Sequence, residues 1–227
     1  MTIPLFVQIP KTGGTSIRKA ITESLPDDAP HSEKPWLKGS YRWVHPEGSR
    51  AIFPGHIHLP SLIEDGLLTQ AEVDACFKFS IVRNPWDRLV SLFGAYRQSL
   101  RLSVRLRKIG FDEPKKTTFC QFVDRLSTIP IPPPSRCSTS GMNEAGPQLG
   151  WLRDGDGNPL DLTIYRFENL GDAWRDISDR CGYKWRPLPH ENATRVRKPY
   201  QDYYSGNARS IVARMYAEEI EMFDYRF

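Results

Sequence analysis

The chain has 227 residues, of which 39% are hydrophobic and 26% charged, enough apolar material for a packed core and too much for wholesale disorder. A formal charge of +4 is too mild a bias to argue for nucleic acid, though it suits a small polyanionic ligand. One domain over 1–227 is expected at this length, and no apolar run approaches the ~18 to 20 residues of a membrane span.

In chain order, Ile3 to Ile9 is a β-rich apolar run that opens into Pro10-Lys11-Thr12-Gly13-Gly14-Thr15-Ser16. Ile17, Ala20, Ile21 and Leu25 then fall at helical spacing. Met1 leads within two residues into that run, leaving no room for a secretory leader, and the expected location is cytoplasmic. A polar stretch from Asp27 to Ser49 precedes a short strand at Ala51 to Phe53 and the segment Gly55-His56-Ile57-His58-Leu59. Cys76 to Val82 is a second strand, followed by a helix from Pro85 with Leu89, Leu92, Phe93 and Tyr96 on one side. Thr117 to Leu126 reads as a helix, Leu162 to Phe167 as a strand and Asn207 to Phe223 as one amphipathic helix. Strands alternating with helices predict an α/β fold with a central parallel sheet. Cys76, Cys120, Cys137 and Cys181 show neither disulfide-framework nor zinc spacing and are expected as free thiols.

A strand running through a glycine loop into a helix aims backbone N–H groups and the positive end of the helix dipole at one spot, which suits phosphate or sulfate. Gly13 and Gly14 permit close backbone approach, Thr15 and Ser16 add hydroxyl donors, and Lys11 adds a mobile cation. The plain alternative is an ordinary turn with a Ser or Thr cap. The lysine precedes the glycines, whereas a Walker A loop places it after them. Arg83 closes the second strand and Ser91 stands eight residues on, both positioned for the carboxyl edge of the sheet, where ligands of open α/β sheets sit. Taken singly, they read equally as a surface ion-pair partner and a helix-face filler. Arg88 reads as a solvated helix charge.

These two segments resemble the sulfotransferases that use 3′-phosphoadenosine 5′-phosphosulfate (PAPS). Ile9-Pro10-Lys11-Thr12-Gly13-Gly14-Thr15-Ser16-Ile17 is similar to the 5′-phosphosulfate loop of the carbohydrate branch, which includes chondroitin, dermatan and heparan sulfotransferases. Arg83 with Ser91 matches the pair that grips the donor's 3′-phosphate in that family, and Leu162 to Leu170 and the segment from Arg197 to Phe227 extend the likeness. The resemblance implies a P-loop nucleotide-kinase-like three-layer fold, PAPS as co-substrate, no metal, and a hydroxyl-bearing acceptor, with carbohydrate the class suggested. It also implies that the segment Glu191 to Tyr200 closes over the donor, with Thr194, Arg197 and Lys198 as contacts. A solvated charge cluster is the other reading of that segment.

Sulfuryl transfer needs a base for the acceptor proton, and histidine titrates near neutrality. His56 follows a short strand, and relatives that sulfate uronic acids carry a catalytic histidine in a similar Gly-His step. The resemblance therefore selects His56, with His58 in reserve. A zinc pair of the two lacks further ligands at metal spacing. Competing readings are a P-loop small-molecule or nucleotide kinase and a non-catalytic nucleotide-binding module. Trp36, Trp43 and Trp151 serve equally to stack on sugars or to fill the core. Nothing in the sequence fixes the oligomeric state or the identity of the acceptor.

Overall fold

The computed structural model describes residues 2–25, 31–32, 43–44, 51–98, 100–135, 142–188 and 198–227. In chain order these form β1 (Ile3–Val7), α1 (Gly14–Ser24), β2 (His31–Ser32), β3 (Trp43–Val44), α2 (Leu59–Glu64), α3 (Gln70–Asp74), β4 (Cys76–Val82), α4 (Pro85–Gln98), α5 (Leu100–Lys108), α6 (Phe119–Leu126), β5 (Thr163–Arg166), α7 (Leu170–Cys181), α8 (Ala208–Met215) and α9 (Ala217–Met222). The chain divides into two compact units, one made of 1–82, 134–138 and 150–193, the other of 83–133, 139–149 and 194–227.

The first unit is built on a parallel sheet of order β1-β4-β5. Ile3 pairs with Cys76 and Val7 with Ser80, while Phe79 pairs with Thr163 and Val82 with Arg166. The alternation of a strand sends successive side chains to opposite faces. Phe6, Phe79 and Ile81 pack with Ile17, Ala20 and Ile21 of α1 and Trp174, Ile177 and Cys181 of α7. Leu5, Val7 and Cys76 pack on the other face with Leu59 and Leu62 of α2 and Val73 of α3. Helices on both faces of a parallel sheet make the three layers expected from the sequence. Phe6 and Phe79 stack at 4.8 Å between ring centroids in the middle of the first face. Trp151 is fully buried and belongs to the core, whereas Trp36 lies outside the described residues.

Two expectations need correction here. The strand expected at Ala51 to Phe53 is a single parallel bridge from Ile52 to Leu5. Its two hydrogen bonds, Phe6 N–H to the Ile52 carbonyl at 3.0 Å and Ile52 N–H to the Pro4 carbonyl at 2.8 Å, tie the segment to β1 without extending it. β1 itself ends at Val7, two residues earlier than the apolar run, because Gln8 to Pro10 already belong to the loop. Cys76 and Cys181 are buried free thiols and Cys120 is a partly buried one; Cys137 lies outside the described residues.

The second unit is helical. Pro85 starts α4 and Asn84 caps it, its side-chain oxygen accepting the Trp86 N–H at 3.1 Å. Thr118 and Gln121 form a reciprocal capping box that sets the start of α6 one residue after the cap. Phe93 and Tyr96 of α4 pack on Phe122 of α6. The single helix expected over 207–223 is two, α8 and α9, interrupted at Tyr216. Neither proline nor glycine marks the break. Tyr216 is buried there, with its hydroxyl donating to the Ala145 carbonyl, so tertiary packing overrides a continuous helical period.

A candidate sulfuryl-donor site

In the first unit the loop between β1 and α1 turns through two left-handed residues, Lys11 at φ 69° and Gly13 at φ 87°. The Gly13 carbonyl accepts from both Ser16 N–H at 3.1 Å and Ile17 N–H at 3.3 Å, opening the helix. Glycine is required twice, for different reasons. A Cβ on Gly13 would adopt a disfavoured φ and meet Phe167 and Leu170 at 3.0 Å. A Cβ on Gly14 would lie 2.6 Å from the carboxamide carbon of Gln8.

The first turn of α1 holds no acidic residue and its N-cap, Gly13, offers no side chain, so the helix's own sequence places no carboxylate at its positive end. Thr15 is exposed, Ser16 and Lys11 are half-buried, and Thr12 is buried with its hydroxyl donating to the Ile9 carbonyl at 2.9 Å. Thr12 therefore has its backbone N–H to offer an anion. Beside the loop, the side-chain oxygen of Gln8 is buried and accepts no hydrogen bond among the described residues. A left-handed loop, a helix whose first turn carries no acidic residue and the lysine of the loop fit a phosphosulfate group.

His56 stands in the same unit, following Gly55 at φ 67°. Its Nδ1 lies 2.9 Å from the Gln8 carbonyl oxygen. A carbonyl only accepts, so Nδ1 carries the proton and Nε2 is the basic nitrogen of the neutral ring. The edge of Trp151 lies against the ring, with centroids 6.4 Å apart. His58, two residues on, is buried; its Nε2 donates to the Arg153 carbonyl at 2.7 Å, and its backbone caps α2. Of the two, His58 is the more withdrawn from solvent. Among the described residues no group of three or more His, Cys, Asp or Glu side chains is placed to hold a metal ion.

The second unit holds Arg83 and Ser91. Arg83 directly follows β4, and Ser91 is half-buried on α4. The buried Arg83 guanidinium is turned by Asp87, whose Oδ2 accepts from Nε at 2.7 Å and lies 2.6 Å from a terminal nitrogen. Its backbone is gripped by Gln148, whose side-chain oxygen accepts the Arg83 N–H at 2.8 Å and whose amide nitrogen donates to the Arg83 carbonyl at 2.8 Å. Glu219 of α9 receives the Gln148 backbone N–H at 2.5 Å and the Gln148 side-chain amide at 3.0 Å. Burial raises the Glu219 carboxyl above its ordinary pKa, outweighing Arg88 and these hydrogen bonds, which lower it.

Arg88 corrects the expectation of a solvated charge. It is 1% exposed, donates to the carbonyls of Glu144 at 3.0 Å and Gly146 at 2.6 Å, and lies 5.6 Å from the centre of the Tyr216 ring. Lys198 is exposed; Thr194 and Arg197 lie outside the described residues. Gln8, Asp87, Gln148 and Glu219 were not singled out in the sequence. Asp87, at a helical i,i+4 interval from Arg83, carried a local signal. Gln148 and Glu219 are 65 and 71 residues from their partners and carried none.

Over residues 5–226 the sequence matches the sulfotransferase family. The chain belongs to that family and is a PAPS-dependent sulfotransferase. No curated protein sequence matches it significantly. Among solved structures it is similar to the mouse sulfotransferase SULT7A1 complexed with PAP, with a TM-score of 0.54 and 16% identity, over 96% of this chain and 84% of that one. A likeness at that identity is one of fold, and it agrees with the three-layer arrangement around a parallel sheet.

Proposed function

We propose that the enzyme sulfates a hydroxyl group of a carbohydrate acceptor by direct in-line transfer, with His56 as general base. The observation that carries the reading is the Nδ1 contact of His56 with the Gln8 carbonyl, three residues before Lys11, which makes Nε2 the proton acceptor. The bound donor supplies the sulfuryl group and leaves as adenosine 3′,5′-bisphosphate, the PAP found with the mouse enzyme. The N–H groups of Thr12 to Thr15, with the Thr15 and Ser16 hydroxyls, hold the 5′-phosphosulfate, and Lys11 stabilises charge on the departing phosphate oxygen. Arg83 and Ser91 take the 3′-phosphate, Lys198 and Arg197 add positive charge, and Thr194 adds a hydroxyl donor. His56 Nε2 removes the hydroxyl proton as the oxygen–sulfur bond forms. Support for a carbohydrate acceptor comes from the likeness of Ile9 to Ile17 to the carbohydrate branch.

Replacing His56 by Ala tests the base against a non-catalytic nucleotide-binding role. Turnover is expected to fall by about 10² to 10⁴ while adenosine 3′,5′-bisphosphate binds as in the wild type. Normal turnover in that variant would show that another group takes the proton.

A further inference from the structure

One buried polar arrangement in the second unit is spent on the backbone of a single residue. Gln148 forms two opposed 2.8 Å hydrogen bonds with the N–H and C=O of Arg83, as a neighbouring strand would. It does so where β4 has ended, and Gln148 is itself fully buried. Its orientation is fixed in turn by Glu219, also fully buried, whose two carboxylate oxygens take the backbone and side-chain N–H groups of Gln148. Burying a carboxylate is expensive, and a neutral apolar filler would serve a merely structural contact at least as well. What the ion and amide add is direction: they set φ and ψ at Arg83, and with them the line along which Cα–Cβ leaves the backbone. Asp87 fixes the far end of the same side chain, so the guanidinium is held at both ends. A group that must meet a phosphate in one geometry gains affinity from being held beforehand, because less freedom is lost on binding.

We infer that Gln148 and Glu219 are positioning residues for the donor's 3′-phosphate, acting through the backbone of Arg83. The inference rests on Arg83 being the 3′-phosphate contact. Neither residue touches the donor in this scheme; Glu219 orients Gln148, and Gln148 orients Arg83.

The readout is the ratio of affinities for adenosine 3′,5′-bisphosphate and adenosine 5′-phosphate, measured by calorimetry. It isolates the 3′-phosphate, whereas general damage weakens both ligands alike. Gln148→Leu is expected to lower that ratio on the order of fivefold to tenfold, the worth of one well-made hydrogen bond, with adenosine 5′-phosphate affinity retained. Glu219→Gln, which keeps the shape and turns an amide toward the Gln148 donors, is expected to lower it in the same direction and serves if Gln148→Leu fails to fold. In an Arg83→Met background neither change should lower the ratio further. If Arg83→Met lowers the ratio and the Gln148 and Glu219 variants do not, the positioning role is refuted and the donor reading stands. If Arg83→Met leaves the ratio unchanged, both fall together.

Discussion

The two proposed anion anchors are built by opposite means. The loop of the first unit is shaped largely by its own neighbours: the Gly13 carbonyl takes the Ser16 and Ile17 N–H groups, Thr12 bonds to Ile9, and Gly14 lies against Gln8, with the Phe167 and Leu170 side chains close to Gly13. Its proposed ligand groups are backbone N–H donors, which a sequence of the right turn residues specifies almost by itself. The Arg83 anchor of the second unit is a side chain, and a side chain needs an external frame. Asp87, Gln148 and Glu219 supply it from three places along the chain. A backbone site is thus sensitive to added volume, and a side-chain site to the loss of distant hydrogen bonds.

Substitutions that attack each kind of construction sharpen the contrast. The largest effect on stability is expected from Arg88→Met in the second unit. It strands the carbonyls of Glu144 and Gly146 and leaves the buried Glu219 carboxyl without that cation, at a cost of about 3 to 5 kcal/mol, read by denaturant unfolding. Little change on that substitution would return Arg88 to the role of a solvated charge. Gly14→Ala is next, at about 1 to 3 kcal/mol, because the new methyl group must displace the Gln8 side chain. Since Gln8 also holds His56, turnover should fall along with donor affinity, and a variant with intact kinetics would show that the loop has slack.

The smallest effect is a pH dependence. The Glu219 carboxyl has a folded-state pKa above its unfolded value, so between the two the folded protein binds the extra proton. Its contribution to stability is complete below the unfolded pKa and is lost as pH rises through the raised folded one. Thermal unfolding of wild type against Glu219→Gln across acidic to neutral pH should show that decline in the wild type alone. Parallel curves would mean that the carboxyl titrates normally.

The same contrast explains what was legible in the sequence. Lys11 to Ser16 were readable because strand, glycine loop and helix follow one another without interruption, and the sheet followed from two such units. β4 was placed to the residue because five apolar side chains, Cys76, Phe77, Phe79, Ile81 and Val82, fall within seven residues that end at Arg83. The division of the last helix at Tyr216 was hidden, since its cause is a bond to Ala145. Arg88 was misread because a charged residue on an amphipathic helix is ordinarily solvated, and only folding brings two carbonyls and an aromatic ring to it. Histidine chemistry was half legible: the Gly-His step marked His56, but its tautomer depends on a carbonyl 48 residues away.

The central claim is that the chain binds PAPS with Arg83 as the proposed 3′-phosphate contact, and calorimetric titration with adenosine 3′,5′-bisphosphate tests it most directly, beside Mg-ATP and beside an Arg83→Ala variant. The account predicts tight binding that needs no metal and collapses in the variant. Absence of bisphosphate binding, or a clear preference for Mg-ATP, would contradict it.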